Sequence, residues 1–379
     1  MLRGAYRAFS VPGRVLLTGH SHQAWPDVAR DAQLAAFDDA ALHVDDKWSR
    51  ALARAERVRE FVAGRLGGAP GEYALGGSTH ELVVRFLSAL DLARRPHLVT
   101  TSGEFHSADR QLRRLVEAGV EVTFVASSPL ESLAERLARE LRPETAGVLV
   151  SAVLFETSAV VPGLGGVVEA AARVGAHVLV DAYHAWGVVP LRLEELGAER
   201  VWVVAGGYKY AQWGEGACFL RVPPATSLRP VVTGWFAGFD ELDHARRAGP
   251  VGYASRPAER FAGATYDPTS HYRAAAVCDF FDREQLTPPR LRELSLRQTA
   301  RLIAGLDTHG FELLTPRAAA CRGGFVAARV RDARRAVEQL RARGVWVDAR
   351  GEALRLGPAP YVTDDELDLA VAELAAIAR

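Results

Sequence analysis

Lysine is almost absent from this 379-residue chain: its 46 basic residues are two lysines and 44 arginines. Cysteine is scarce too. Cys218, Cys278 and Cys321 are too few and too far apart for a disulfide framework, which fits a reduced, cytoplasmic setting. Net charge is missing, because 46 acidic residues cancel the 46 basic ones. Without a basic face or acidic tail, nucleic acid is not expected as a partner. No apolar run approaches a membrane span, and Met1–Leu17 lacks the continuous apolar stretch of a signal peptide. Several catalytic signatures are absent as well. There is no Gly-x-x-x-x-Gly-Lys phosphate loop, no Gly-x-Ser-x-Gly nucleophile elbow and no His-Glu-x-x-His. His20-Ser21-His22 has no Cys or carboxylate at ligand spacing, so no metal is expected. Gly163-Leu164-Gly165-Gly166 lacks the last glycine of the dinucleotide fingerprint and sits mid-chain, against a nicotinamide enzyme.

What is present stands out against that background. One of the two lysines is kept in Gly206-Gly207-Tyr208-Lys209-Tyr210. Twenty-eight residues earlier, His177-Val178-Leu179-Val180 ends in Asp181-Ala182-Tyr183-His184. An arginine supplies surface charge equally well, but its guanidinium stays protonated and is no nucleophile. A lysine amine of lowered pKa attacks an aldehyde. The pair therefore suits pyridoxal phosphate, with Asp181 facing the pyridinium nitrogen. An ordinary salt-bridge lysine after a strand is the plain alternative.

At this length two domains, or one large domain with a satellite, are expected. Probable strands are Tyr73–Leu75, Leu98–Thr100, Glu121–Val125, Gly147–Ala152, Ala176–Val180, Val201–Ala205 and Ala217–Val222. They alternate with helical patterns at Glu81–Leu90, His106–Ala118, Leu130–Leu141 and Val167–Val174. That alternation predicts an α/β domain with a mostly parallel sheet, and ligands beyond the carboxyl ends of its strands. Asp181 and Lys209 both fall at such ends. From about His271 the pattern shifts to a smaller α+β unit, with helices at Tyr272–Phe281, Pro289–Leu306, Ala333–Arg343 and from Asp364. The expected organisation is an N-terminal segment 1–45 packed on the small domain, a large domain 46–270 and a small C-terminal domain 271–379. Thr233–Pro268, rich in Gly, Pro and aromatics, reads as a functional loop.

Gly76-Gly77-Ser78-Thr79-His80 opens a helix after a short strand. Its hydroxyls and free N–H groups suit a phosphate, and equally a plain N-cap. Glu104-Phe105-His106 follows the strand at Leu98–Thr100 and offers a flat ring, Phe105 or His106, to stack on a flat cofactor.

Taken in order, these pieces resemble the fold-type-I pyridoxal phosphate enzymes of the class V aminotransferase family, and within it kynureninase. The resemblance runs from about Leu16 to the C-terminus. It implies that Lys209 is the Schiff-base lysine, that Asp181 pairs with the ring nitrogen, and that Tyr208 touches the phosphate. It places His184 in the Asp-x-x-His motif, Ser78 and Thr79 on the phosphate, and Thr157 of Glu156-Thr157-Ser158 over the cofactor. Thr233-Gly234-Trp235-Phe236 resembles the family's Gly-Trp loop, and Arg260 to Thr265 its Arg-Phe-x-x-Gly-Thr. Both imply that Trp235 and Thr265 reach the phosphate across a homodimer interface. Ala353-Leu354-Arg355-Leu356 resembles the segment whose arginine clamps the substrate carboxylate. His20 stands where the family carries an Asn near the substrate. Glu104-Phe105-His106 departs from Asn-Phe-Pro-Thr-Asp, Asp109 is displaced by one position, and Gly207 replaces a Ser.

The resemblance implies hydrolysis of the Cβ–Cγ bond of kynurenine or 3-hydroxykynurenine, giving an anthranilate and alanine. The alternative is another class V enzyme, a lyase or epimerase acting on a different amino acid. A cysteine desulfurase is rejected, because no cysteine lies between Gly344 and Arg355.

Overall fold

The computed structural model describes residues 2–241 and 249–378. The chain opens with the short strand β1 (Val15–Leu16), then α1 (Val28–His43) and α2 (Lys47–Leu66). The large domain alternates β2 (Tyr73–Gly76), α3 (Thr79–Ala89), β3 (His97–Thr101), α4 (His106–Glu117), β4 (Glu121–Val125), α5 (Leu133–Arg139), β5 (Thr145–Ser151), α6 (Leu164–Arg173) and β6 (His177–Asp181). After the one-turn α7 (Leu193–Leu196) come β7 (Val201–Gly206) and β8 (Cys218–Arg221). These strands form one seven-stranded sheet in the order β2-β8-β7-β6-β5-β3-β4. Neighbours run parallel from β7 through to β4, while β8 is antiparallel to both β2 and β7. Strands β5 and β7 are buried along their whole length, as continuous apolar runs between two helix layers should be.

The C-terminal part holds α8 (Thr269–Arg283), α9 (Pro288–Thr308), β9 (Val326–Arg329), α10 (Ala333–Ala342), β10 (Val345–Trp346), β11 (Asp348–Arg350), β12 (Ala353–Leu356) and α11 (Asp364–Ala378). Strands β11, β12 and β9 make a three-stranded antiparallel sheet. β1 pairs in parallel with β10, with Val15 opposite Val345, so the N-terminal segment joins this part of the chain. One apolar cluster runs from Val150 and Val180 of the large sheet to Leu354 and Leu356 of the small one. Packing is therefore continuous across the expected divisions at 45/46 and 270/271.

The α/β fold and all seven large-sheet strands stand where the sequence pattern puts them, to within a residue or two. The 20-residue α2 is the omission. Its buried side chains Ala51, Ala55, Val58, Phe61, Val62 and Leu66 recur at helical spacing, but small alanines dilute the apolar signal. Val345–Trp346 and Asp348–Arg350, close in sequence, belong to two different sheets. The expected loop Thr233–Pro268 forms only 3₁₀ turns where described, and its residues 242–248 lie outside the described residues.

Candidate active site

Two strand ends and one tight turn assemble the centre. β6 ends at Asp181, whose Oδ1 accepts the Tyr183 N–H at 2.8 Å. The chain then turns sharply, with the Ala185 and Trp186 N–H groups donating to the Ala182 carbonyl at 2.9 and 2.7 Å. That turn aims Tyr183 and His184 back over the sheet. Beside it, β7 ends at Gly206, and Lys209 follows in a loop closed by the Trp213 N–H donating to the Gly207 carbonyl at 2.8 Å. Gly207 explains one departure from the family pattern. A Cβ there would lie 2.5 Å from Trp213 Cβ, so a serine has no room.

Lys209 is 4% exposed, and its Nζ lies 2.6 Å from His184 Nε2. Burial pulls the Lys209 amine down to about 7, opposed by the charge of Asp181. Burial also pushes the Asp181 carboxyl up, with the Tyr183 N–H and Lys209 pulling the other way. His184 is driven well below its usual range by burial first and Lys209 second. A neutral His184 accepts from Lys209 through Nε2, which leaves a hydrogen on Nδ1, and that buried atom has no partner. The Tyr183 hydroxyl is likewise unpartnered. Thr79, Phe105, Ser151, Phe155, Asp181, Tyr183, His184, Tyr208 and Lys209 line one narrow cavity, and Lys209 Nζ is 5.3 Å from the Phe105 ring centre.

Arg355 forms the second part. It is 2% exposed on β12. Its register partner on the β11–β12 hairpin is Asp348. Arg355 Nε donates to Asp348 Oδ1 at 2.9 Å, Nη2 donates to Oδ2, and Nη1 donates to the Phe155 carbonyl at 2.6 Å. His20, fully buried, places Nε2 2.6 Å from Asp348 Oδ1. Burial lowers His20 to about 4, so it is neutral and donates to Asp348. Burial opposes ionisation of Asp348, but His20 and Arg355 outweigh it and hold the carboxyl below its usual range. The Phe325 ring packs between the two parts, 4.6 Å from the His20 ring, 5.9 Å from the His184 ring and 5.5 Å from Arg355 Cζ.

Other expected residues are placed differently. Ser78 is exposed and its hydroxyl accepts the Glu81 N–H at 3.2 Å, while Glu81 accepts the Gly77 N–H at 3.0 Å. That is a helix cap at Ser78, and it is Thr79 that faces the cavity. Between the two candidate rings, Phe105 lines the cavity, whereas His106 is exposed and packs edge-on to Phe155 at 5.1 Å. Thr157 does not line the cavity. Its hydroxyl accepts the Ala159 N–H at 3.3 Å, and Phe155, two residues earlier, lies at the cavity wall. His20 stands behind Arg355 as the second partner of Asp348 and does not form an open wall. Trp235 and Thr265 pair with each other, indole Nε1 to Oγ1 at 3.2 Å, away from the Lys209 cavity. Thr265 instead borders a separate cavity of about 1030 Å³.

Asp348, Ser151, Phe155 and Phe325 were not anticipated from the sequence. For Asp348 a signal exists. A hairpin turning at Gly351-Glu352 puts residues 348 and 355 opposite each other, acid against arginine.

The residues fit pyridoxal phosphate. An amine of lowered pKa, a desolvated carboxyl, two unpartnered buried polar atoms and a ring at the cavity wall supply what its aldehyde, ring nitrogen, polar substituents and flat face require.

Comparison with known proteins points the same way. Residues 291–374 match the family model of the kynureninase C-terminal domain. A kynureninase of Deinococcus radiodurans is 29% identical over 97% of this chain and 91% of its own length. An uncharacterized aminotransferase of Bacillus subtilis is 25% identical over 90% of this chain and 88% of its own. Among solved structures, a cystine C–S lyase in complex with cysteine persulfide superposes with a TM-score of 0.84 at 18% identity, covering 97% of this chain and 98% of that one. That last likeness shows the fold. Together with the site geometry, these matches show a chain similar to kynureninases and to a class V aminotransferase relative, with the fold of the type I pyridoxal phosphate enzymes.

Proposed function

We propose that the chain is a pyridoxal-phosphate-dependent hydrolase that cleaves the Cβ–Cγ bond of kynurenine or 3-hydroxykynurenine. Water is consumed; its OH stays on the γ-carbon as the anthranilate carboxyl, and a proton completes the β-carbon of alanine. The observation that carries the substrate assignment is that the kynureninase C-terminal match at 291–374 contains the Asp348–Arg355 clamp. When bound, the cofactor supplies an electron sink for the carbanion formed at the substrate's Cα.

The chain's own groups divide the remaining work. Asp181 would face the ring nitrogen and would keep a proton there, the positive ring offsetting the burial that raises its carboxyl. Lys209, whose amine burial pulls down to about 7, would hold the cofactor through its aldehyde carbon, and its Nζ would move the Cα proton. His184 steadies Nζ at 2.6 Å without competing for charge, because it is neutral. Tyr208 and Thr79, which line the same cavity, would hold the phosphate. Phe105 and Phe155 close two sides against water. Arg355, fixed by Asp348 and the Phe155 carbonyl, holds the α-carboxylate and so chooses which bond at Cα stands over the ring.

The likeness of the Gly234-Trp235 and Ala264-Thr265 segments to the family's loops supports reading the chain as a homodimer, in which Trp235 and Thr265 would approach the partner's phosphate, and the three scattered cysteines fit a cytoplasmic setting. Two inactive variants, one at Lys209 and one at Trp235 plus Thr265, should then regain part of the activity when mixed; a fully active monomer by light scattering contradicts this. The substrate assignment is tested by incubating the cofactor-loaded protein with kynurenine and 3-hydroxykynurenine and following the fluorescent anthranilate. No anthranilate from either, with another amino acid converted instead, shifts the assignment to a different class V lyase or epimerase.

A further inference from the structure

Glu104 is 4% exposed and has no role in the site as built so far. It follows β3 and immediately precedes Phe105. The Thr101 hydroxyl and the Ser151 N–H donate to its Oε1 at 2.6 and 3.1 Å, and the Ser151 hydroxyl donates to Oε2 at 2.6 Å. The groups that hold it are hydroxyls and one amide, with no arginine or lysine among them. Three donated hydrogen bonds suit a carboxylate. Burial opposes that charge and raises the carboxyl to about 7, and the nearby Asp181 pushes in the same direction.

The neighbour that matters is Ser151. It is the register partner of Asp181 across β5 and β6, and both residues line the Lys209 cavity. Register partners on adjacent strands present their side chains to the same face. Glu104 is thus bonded to the residue that stands side by side with Asp181 in the sheet. A packing role alone does not call for a carboxyl here, since burying one costs more than burying an apolar group of similar size.

We propose that Glu104 is a second carboxyl of the active site, a positioning residue that fixes Ser151 beside Asp181 and adds negative charge behind it. The inference rests on the assignment of Asp181 to the cofactor's ring nitrogen. An anion one residue removed strengthens the hold of Asp181 on the proton at that nitrogen by Coulomb attraction across a low-dielectric gap. It also favours a positive charge anywhere in the cavity, Lys209 included.

Glu104→Gln deletes the charge but keeps the shape, and the rotatable hydroxyls of Thr101 and Ser151 can still bond to the amide. Wild type and variant, both loaded with pyridoxal phosphate, are compared by pH titration of the visible absorption band and by steady-state kinetics. The expected result is a band midpoint lower by about one pH unit, a fall in kcat with KM little changed, and partial recovery of both in Glu104→Asp. An unmoved midpoint, whether or not the melting temperature falls, overturns the proposal, because a structural role alone predicts that pattern. Should Glu104→Gln not fold, Ser151→Ala breaks the link while leaving the carboxyl. A midpoint moved in the same direction supports the proposal, and an unmoved one overturns it. Failure of the wild type to take up pyridoxal phosphate overturns the cofactor assignment instead, so the two outcomes are distinguishable.

Discussion

The Lys209 cavity and the Arg355 clamp bury similar numbers of polar groups and treat them in opposite ways. Around Arg355, Asp348 receives Nε, Nη2 and His20 Nε2, while the Phe155 carbonyl takes Nη1. Charge there is matched and fixed. Around Lys209, an amine and a carboxyl are both moved toward neutrality. A buried ion pair keeps its charge only when geometry and hydrogen bonds offset desolvation. The clamp meets that condition and so is suited to holding a substrate still. The cavity does not, and so is suited to groups that must change protonation state within a cycle.

The sharpest way to break the contrast is Lys209→Ala. Activity should fall to background, and borohydride should no longer fix cofactor to the protein. A remaining label that maps to Lys47, the other lysine, would falsify the assignment. Next in size is Asp181→Asn, which should keep some cofactor but lose turnover on the order of 10² to 10³, the scale for removing one preorganised electrostatic partner. Wild-type turnover in that variant would show that the ring nitrogen does not depend on Asp181.

On the clamp side, Arg355→Ala should lower kcat/KM by about tenfold or more, because a buried charged hydrogen bond is lost. Asp348→Asn should act mainly on KM, and its effect should vanish in the Arg355→Ala background, since Asp348 works through the guanidinium. Additive effects would mean that Asp348 has a separate task. The smallest effect is kinetic. Only the unprotonated amine attacks an aldehyde, so uptake of pyridoxal phosphate by cofactor-free protein should accelerate as pH rises, with a midpoint at about 7 and not in the ordinary lysine range. A rate still climbing at pH 9 would place Lys209 in a wetter setting than the structure shows.

The same contrast marks what was legible in the sequence. Asp181 and Lys209 could be read because both follow apolar strands, and because lysine is otherwise almost missing. The strands themselves could be read because parallel strands buried on both faces leave unbroken apolar runs. The residues that escaped depend on the direction of side chains leaving loops. Nothing in Glu104-Phe105-His106 says that the carboxyl turns inward, the phenyl ring faces the cavity and the imidazole faces solvent. Likewise, the 155–158 turn passes through Ser158 at φ 63°, and that left-handed residue swings Thr157 aside and leaves Phe155 at the wall. Asp348 escaped because the turn at Gly351-Glu352 was not read as the hairpin that sets it opposite Arg355.

The pairing of β1 with β10 has a consequence for the order in which the protein is made. Val15 leaves the ribosome long before its strand partner Val345. Leu17 and Gly19 are fastened in the same way, to the Trp346 and Gly357 carbonyls at 2.8 Å each. Contacts of such long sequence separation close late, because the intervening chain must be ordered first. The seven-stranded sheet is complete by Arg221, so its cavity can assemble while translation is still under way. His20 must wait for Asp348. A nascent chain stalled before β11 would carry Lys209 and Asp181 in place but no substrate clamp, and would be able to take up cofactor before it could recognise an amino acid.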